Sequence, residues 1–385
     1  MKLVFISDTP NPRMVGGGEY AIYKYAEGLA LLGHHVVVYG QFHRPFMSAL
    51  RTDAGMRVRL RGGVERDFRG AGQLNRWWDR IHTQWIALPG LRRMGGIDAI
   101  IGYQRRSSIK ARQLGEALGD IPVMHIAFEP PTAMEAALGE QYTRVMTGRL
   151  AMEWEGVREA YRSSAGLFPL SRVVGEAVAS WCGKACSAPV YAGVDAPSGV
   201  MEIKAREDFI LYLGRLDSTK NVHDLIDAMA LLKKAPPLVI VGRGYDEHEL
   251  KARAAAAGID CRFMGLVSDA EKWRLVRQCL FLVFPTSVEG FGMPPGEALS
   301  CGKPAVCSDI PILREVYGDA VEYFPVRQVG LLAEVMQRLL ADRALRHDLG
   351  ARGRDYVMAR YQWAHCAARL ESGLLGGDIK RCAAS

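Results

Sequence analysis

Leu280-Phe281-Leu282-Val283-Phe284-Pro285, followed at once by the segment Glu289-Gly290-Phe291-Gly292-Met293-Pro294-Pro295-Gly296-Glu297, is the stretch whose reading decides the fold. The apolar run has the length and composition of a buried strand. The proline pair sits where a helix can start without losing a hydrogen bond. A strand's carboxyl edge therefore meets a helix N-terminus, the junction that parallel α/β sheets use for ligands. Backbone N–H groups of Phe291, Gly292 and Met293 are expected to point outward there, and the glycines let an anion approach. Glu289 and Glu297 flank the junction, so each carboxylate can take its own part of one ligand. The plainer alternative is that Glu297 only complements the helix dipole while Glu289 is solvated.

Working outward, the same strand–turn–helix rhythm recurs on both sides. The chain opens with a strand over Leu3–Ser7, a turn Gly16-Gly17-Gly18-Glu19, an amphipathic helix to about Leu32 and a strand over His35–Tyr39. That is a βαβ unit. Further strands are expected at Ala99–Gly102, Val123–Ile126, Gly166–Pro169 and Pro189–Tyr191. After Ala192-Gly193-Val194-Asp195 the composition turns to Ala-Pro-Ser-Gly, a hinge signal. A second series follows, with strands at Phe209–Leu213, Leu238–Val241, Cys261–Met264, Phe281–Phe284 and Pro304–Cys307. The expected organisation is α/β: a Rossmann-like domain over 1–195, a linker over 196–206, a second Rossmann-like domain over 207–361, and a segment 362–385 whose helix crosses back to the first domain. Two doubly wound domains facing each other across a cleft would place function in that cleft.

A chain of 385 residues, 49% hydrophobic and 24% charged, has material for two cores and is not disordered. The net charge is +7, and nearly all of the excess lies in residues 1–195. Within it, an Arg/Trp-rich segment over 57–93 interleaves Arg57, Arg59, Arg61, Arg66, Arg69, Arg76 and Arg80 with Trp77, Trp78 and Trp85. Such a face suits an anionic membrane surface or a phosphate-bearing acceptor, or is simply solvated. No nucleic-acid module accompanies it, so nucleic acid is not the expected partner. The start, Met1-Lys2-Leu3-Val4-Phe5-Ile6-Ser7-Asp8, is too short an apolar run for a signal peptide, and no run reaches membrane-spanning length. The expected place is the cytoplasm, peripheral at the inner face of the membrane if the basic face makes that contact. Eight cysteines without a Cys-x-x-Cys pair read as reduced structural thiols rather than a metal site.

Taken together, Gly16-Gly17-Gly18-Glu19, Gly193-Val194-Asp195, Gly214-Arg215-Leu216, Lys220-Asn221, Val241-Gly242-Arg243-Gly244, the Glu289 to Glu297 segment and Ala298-Leu299-Ser300-Cys301-Gly302-Lys303-Pro304 resemble, in order and spacing, the retaining glycosyltransferases of family 4, which have the GT-B architecture. The resemblance covers nearly the whole length. It implies that Glu289 contacts a donor sugar and Glu297 a ribose, and that Arg215 and Lys220 converge on the donor's diphosphate. Fixed positive charge there would stabilise the charge that builds as the anomeric bond breaks. Gly16 and Gly17 would bring backbone close to the phosphates, and Gly242, Arg243, Gly290, Phe291, Gly292 and Met293 complete the donor-binding set. His125 is expected to line the acceptor face near the anomeric carbon, with a core histidine as the alternative.

No Asp-x-Asp occurs in the sequence, so the resemblance implies transfer without metal or other cofactor, with retention of configuration. The implied substrates are a nucleotide-diphosphate sugar, GDP-mannose favoured and UDP-sugars open, and a glycan or lipid-linked acceptor in cell-envelope or polysaccharide synthesis. Two rivals share the scaffold: a nucleotide-sugar 2-epimerase and a non-catalytic nucleotide-sugar-binding protein.

Overall fold

The structure, a computed structural model, describes residues 1–7, 17–42, 46–51, 57–64, 85, 87–103, 105–139, 148–197 and 208–376. They form two compact units. One comprises Met1–Thr132, Gln141–Tyr191 and Trp363–Ser385; the other comprises Ala133–Glu140 and Ala192–Gln362. Most of the expected linker, residues 198–206, lies outside the described residues.

The first unit holds β1 (Lys2–Ser7), β2 (His35–Phe42), β3 (Phe46–Arg51), β4 (Arg57–Val64), β5 (Ala99–Tyr103), β6 (Val123–Ala127) and β7 (Gly166–Pro169) in the order β3-β4-β2-β1-β5-β6-β7. All neighbours pair in parallel except β3 and β4, an antiparallel edge pair. The sequence reading missed that pair. It also placed a strand at Pro189–Tyr191, which the structure shows as irregular backbone tied to the sheet end by the bond from Val190 N–H to the Pro169 carbonyl. Arg57, Arg59 and Arg61 fall at alternate positions of β4. The segment 65–84, with Arg66, Arg69, Arg76, Arg80, Trp77 and Trp78, lies outside the described residues.

β1 is buried along Leu3–Ser7, as a strand covered by helices on both faces must be. The chain's last described helix, Trp363–Gly376, packs on the helix Gly17–Leu31. A Cβ on Gly28 would stand 2.4 Å from that of Ala367, so only glycine permits this approach. Trp363 meets the Tyr25 ring edge-on at 5.5 Å, and His34 Nε2 lies 2.8 Å from Glu371 Oε1.

The second unit is wholly parallel, with β8 (Ile210–Leu213), β9 (Leu238–Val241), β10 (Cys261–Gly265), β11 (Phe281–Phe284), β12 (Ala305–Ser308) and β13 (Glu322–Phe324) in the order β10-β9-β8-β11-β12-β13. Its core joins Ile210, Tyr212, Ile240, Phe281 and Val283 of the strands to Leu225, Ile226, Met229 and Met336 of the covering helices. Strand order reverses between β8 and β11. At such a switch the loops leaving the two strands diverge to opposite faces and open a crevice at the carboxyl edge. Those two loops carry Lys220 and Glu289.

Candidate functional site: paired charges at the β8/β11 switch

After β8 the chain makes one tight turn. Asp217 caps it, its carboxylate accepting from Thr219 N–H at 3.1 Å and from the Thr219 hydroxyl at 2.5 Å, and a single 3-10 turn, Ser218–Lys220, follows. Asn221 then takes a left-handed conformation at φ 47, which asparagine tolerates better than most residues. Its side-chain amide donates to the Pro285 carbonyl at 2.9 Å and to Ser287 Oγ at 3.0 Å. Ser287 N–H donates to the Thr219 carbonyl at 2.8 Å. These bonds stitch the loop after β8 to the loop after β11.

The stitching delivers Lys220 to Glu289. Lys220 Nζ donates to Glu289 Oε1 at 2.5 Å and to the Val288 carbonyl at 3.3 Å, with the two side chains only 10% and 13% exposed. The cation and the carboxylate assigned to separate parts of a ligand therefore rest on each other. Arg215 behaves differently: its side chain is 68% exposed, and Nη1 lies 3.1 Å from Asp217 Oδ2. It is a solvent-facing cation on the same turn, paired with Asp217.

The helix Met293–Ser300 begins at Gly292, which caps it at φ 81, a left-handed conformation suited to glycine. Tyr317 fixes this start. Its hydroxyl donates to the Gly292 carbonyl and accepts from Gly296 N–H at 3.0 Å. Phe291 is buried against Tyr361, ring centroids 5.3 Å apart, so its side chain is a structural anchor for the loop. Gly290, Gly292 and Met293 are likewise buried.

Glu297 lies deeper than the sequence reading placed it, one turn past the first. Its carboxylate is 9% exposed, and Oε1 accepts from Lys272 Nζ at 2.7 Å. Burial pushes the Glu297 carboxyl above the usual carboxylate range, and the Lys272 ammonium pulls it back only in part. Burial works against the Lys272 charge as well, but the Glu297 charge and hydrogen bond outweigh it and hold its pKa up. Lys272 comes from the helix Asp269–Gln278 and went unrecognised in the sequence. The signal was there: on that helix Lys272 shares a face with the buried Leu275 and Val276, so it is a lysine on an apolar stripe.

Gly242 and Arg243 adjoin the same turn. Gly214 N–H donates to the Val241 carbonyl at 3.0 Å and Leu216 N–H to the Arg243 carbonyl at 3.0 Å, so the loops after β8 and β9 run side by side. A Cβ on Gly242, at φ 138, would stand 1.8 Å from the Gly214 oxygen. Backbone packing alone accounts for this glycine. The Arg243 side chain is exposed.

In the first unit, Gly17 opens the helix Gly17–Leu31, and Gly16 lies outside the described residues. His125 was expected to line the acceptor face, with a core histidine as the alternative; the strand expected over Val123–Ile126 runs on to Ala127 and His125 is wholly buried. The ring sits against Gly102, where a Cβ would come 2.4 Å from Nδ1, and lies 5.3 Å from the Tyr161 ring. Burial lowers its pKa to about 3, so it is neutral, and its position is that of a core histidine rather than an acceptor-facing group.

Chemically, the second unit offers two lysine-held carboxylates and an exposed arginine around a strand switch, a set suited to a ligand with hydroxyls and an anionic centre. Among the described residues no group of histidine, cysteine and carboxylate side chains could hold a metal ion, and no helix is long and apolar enough to cross a membrane.

Residues 198–356 match the family model described as glycosyl transferases group 1. The O-antigen chain mannosyltransferase B of Escherichia coli is 31% identical over 173 residues, 43% of this chain and 45% of that protein. The phosphatidyl-myo-inositol mannosyltransferase of Mycobacterium leprae (strain TN) is 33% identical over 168 residues, 42% and 44% of the two chains. The chain thus matches these curated relatives over about half their length. The sucrose-phosphate synthase of Thermosynechococcus elongatus superposes with a TM-score of 0.81 over 100% of both chains at 18% identity, a likeness of fold that is of the GT-B class. Lys220, Lys272, Glu289 and Glu297 all lie inside the stretch, residues 198–356, that is similar to the glycosyl transferases group 1 family.

Proposed function

We propose that the chain is a glycosyltransferase that moves a hexose, with retention of configuration and without a metal ion, from a nucleotide-diphosphate sugar to a glycan or lipid-linked acceptor of cell-envelope or polysaccharide synthesis. The observation that carries this reading is the Lys220–Glu289 pair at the β8/β11 switch, beside the exposed Arg215. In the free protein Glu289 neutralises Lys220. A bound diphosphate would take over the lysine as its counter-charge, aided by Arg215, and free Glu289 to accept hydrogen bonds from sugar hydroxyls. Glu297, further along the same segment, is suited to a ribose diol. As the anomeric bond breaks, negative charge builds on the departing diphosphate. Lys220 and Arg215 stabilise that charge, which is the part a divalent metal plays elsewhere.

Mannose carried by GDP is the favoured donor, supported by mannosyltransferases among the relatives, of which those of Escherichia coli and Mycobacterium leprae above are each matched over less than half of their length. Contact of the basic first unit with the inner face of the membrane is part of the same proposal, as is a cytoplasmic location.

The test is a panel of GDP- and UDP-sugars read by thermal shift, then by transfer in the presence of a chelator. A true donor at a hundredfold excess over its dissociation constant adds about 2.7 kcal/mol of stability. Free nucleoside diphosphate should appear together with a glycosylated acceptor. Epimerised sugar would instead support the epimerase reading. Failure of every nucleotide sugar to stabilise the protein would sink both.

A further inference from the structure

We infer that Lys272 is a positioning residue for donor binding, holding the Glu297 carboxylate ionised and aimed so that both of its oxygens serve as acceptors for a ribose diol. The inference rests on the functional reading above and deepens it.

Glu297 stands in an unfavourable place for a charge. It is buried in the body of a helix, and two further carboxylates, Asp195 and Asp269, act on it from neighbouring segments, both disfavouring ionisation. Cys301, in the turn after its own helix, also feels its charge. Lys272 is the cation set against this group, at 2.7 Å from Oε1, and Asp195 and Asp269 favour its charge as well. Its ammonium stands 4.4 Å over the Trp273 ring, which limits where the side chain can swing. The Ser300 hydroxyl lies, as donor, 2.9 Å from the Asp195 carbonyl and 2.8 Å from the Glu297 carbonyl, so its side chain ties the Asp195 segment to the helix that carries Glu297. Without Lys272, three carboxyl groups would share this space with no ammonium at hydrogen-bond distance from Glu297. Glu297 would then take up a proton, and a protonated carboxyl no longer offers both oxygens as acceptors.

The experiment measures GDP and UDP dissociation constants from pH 6 to pH 8 for the whole protein, the wild type against Lys272→Met, Lys272→Arg and Glu297→Gln. Expected for the wild type is affinity flat with pH. Lys272→Met should bind about tenfold more weakly at pH 7, recover as pH rises and deprotonates Glu297, and show the loss in donor KM with kcat nearly unchanged. Lys272→Arg, which keeps the charge, should restore affinity and the flat profile. Glu297→Gln should be weak at every pH, and it stands in should Lys272→Met fail to fold. A Lys272→Met protein with wild-type affinity and a flat profile overturns the inference, as does a Glu297→Gln protein that binds like wild type. A wild type that binds neither nucleotide overturns the functional reading, and this inference with it.

Discussion

His125 of the first unit and Glu289 of the second both lie near the carboxyl edge of a sheet, one inside its strand and the other beyond the strand's end. His125 lies within β6, which continues to Ala127, so its side chain is committed to a sheet face and the helices that cover it. Burial removes its charge. Glu289 lies beyond the last residue of β11, Phe284, where the chain has left the sheet and turns back to meet Lys220. Position relative to the strand's end decides the difference, because only past it can a side chain be aimed into the crevice at a strand switch.

The strongest way to break the contrast is to remove the partner. Lys220→Ala takes away the cation proposed to face the departing diphosphate and should lower kcat about 100-fold or more, comparable to losing one donor to a developing anion. His125→Gln should leave transfer within a few-fold of wild type. Circular dichroism should show both variants folded. Equal losses in the two, or full turnover in Lys220→Ala, would remove the distinction between the edge residue and the strand residue.

A second effect concerns what holds the loops past the strands in place. Gly242→Ala would drive a Cβ into the Gly214 carbonyl, and neither backbone can yield without breaking the bonds from Gly214 N–H to Val241 and from Leu216 N–H to Arg243. The expected cost is roughly 2–4 kcal/mol, read as a lower urea midpoint. Gly258→Ala, where a Cβ meets nothing within 4 Å, serves as the comparison, though its positive φ leaves a smaller backbone strain. Equal midpoints would show that the loops after β8 and β9 are not locked together.

Legibility in the sequence followed the same division. The second unit's interior strands are short apolar runs bounded by turn residues, and β9 and β11 fall where those runs do; only β13, three residues with a glutamate at its head, escaped. The β3–β4 edge pair was missed because the arginines of β4 read as a basic face and its two consecutive glycines, Gly62 and Gly63, break the strand pattern before the partner β3 is known. Of the site, Glu289, Glu297, Arg215 and Lys220 could be picked out by residue type and spacing. The pairing of Lys220 with Glu289 could not, because that bond joins segments 69 residues apart in the chain. Lys272 was hidden for a related reason: a lysine among charged neighbours reads as solvated until the helix phase is known.

The smallest effect probes the burial of His125 directly. Its pKa falls from 6.5 to about 3 in the folded chain, while the unfolded chain keeps the ordinary value. Above pH 6.5 the ring is neutral in both states and contributes nothing to the pH dependence. Between pH 6.5 and 3 the unfolded chain binds a proton that the folded chain refuses, so stability is lost as pH falls, by about 1.4 kcal/mol per pH unit at most. Urea unfolding at pH 7 and pH 5 should therefore show a steeper acid loss in wild type than in His125→Gln, which has no ring to titrate. The remaining titratable groups act alike in both proteins and cancel in the comparison. Matching acid slopes would mean that the ring can reach a proton in the folded state, and would return His125 to the solvent-facing role its strand position argues against.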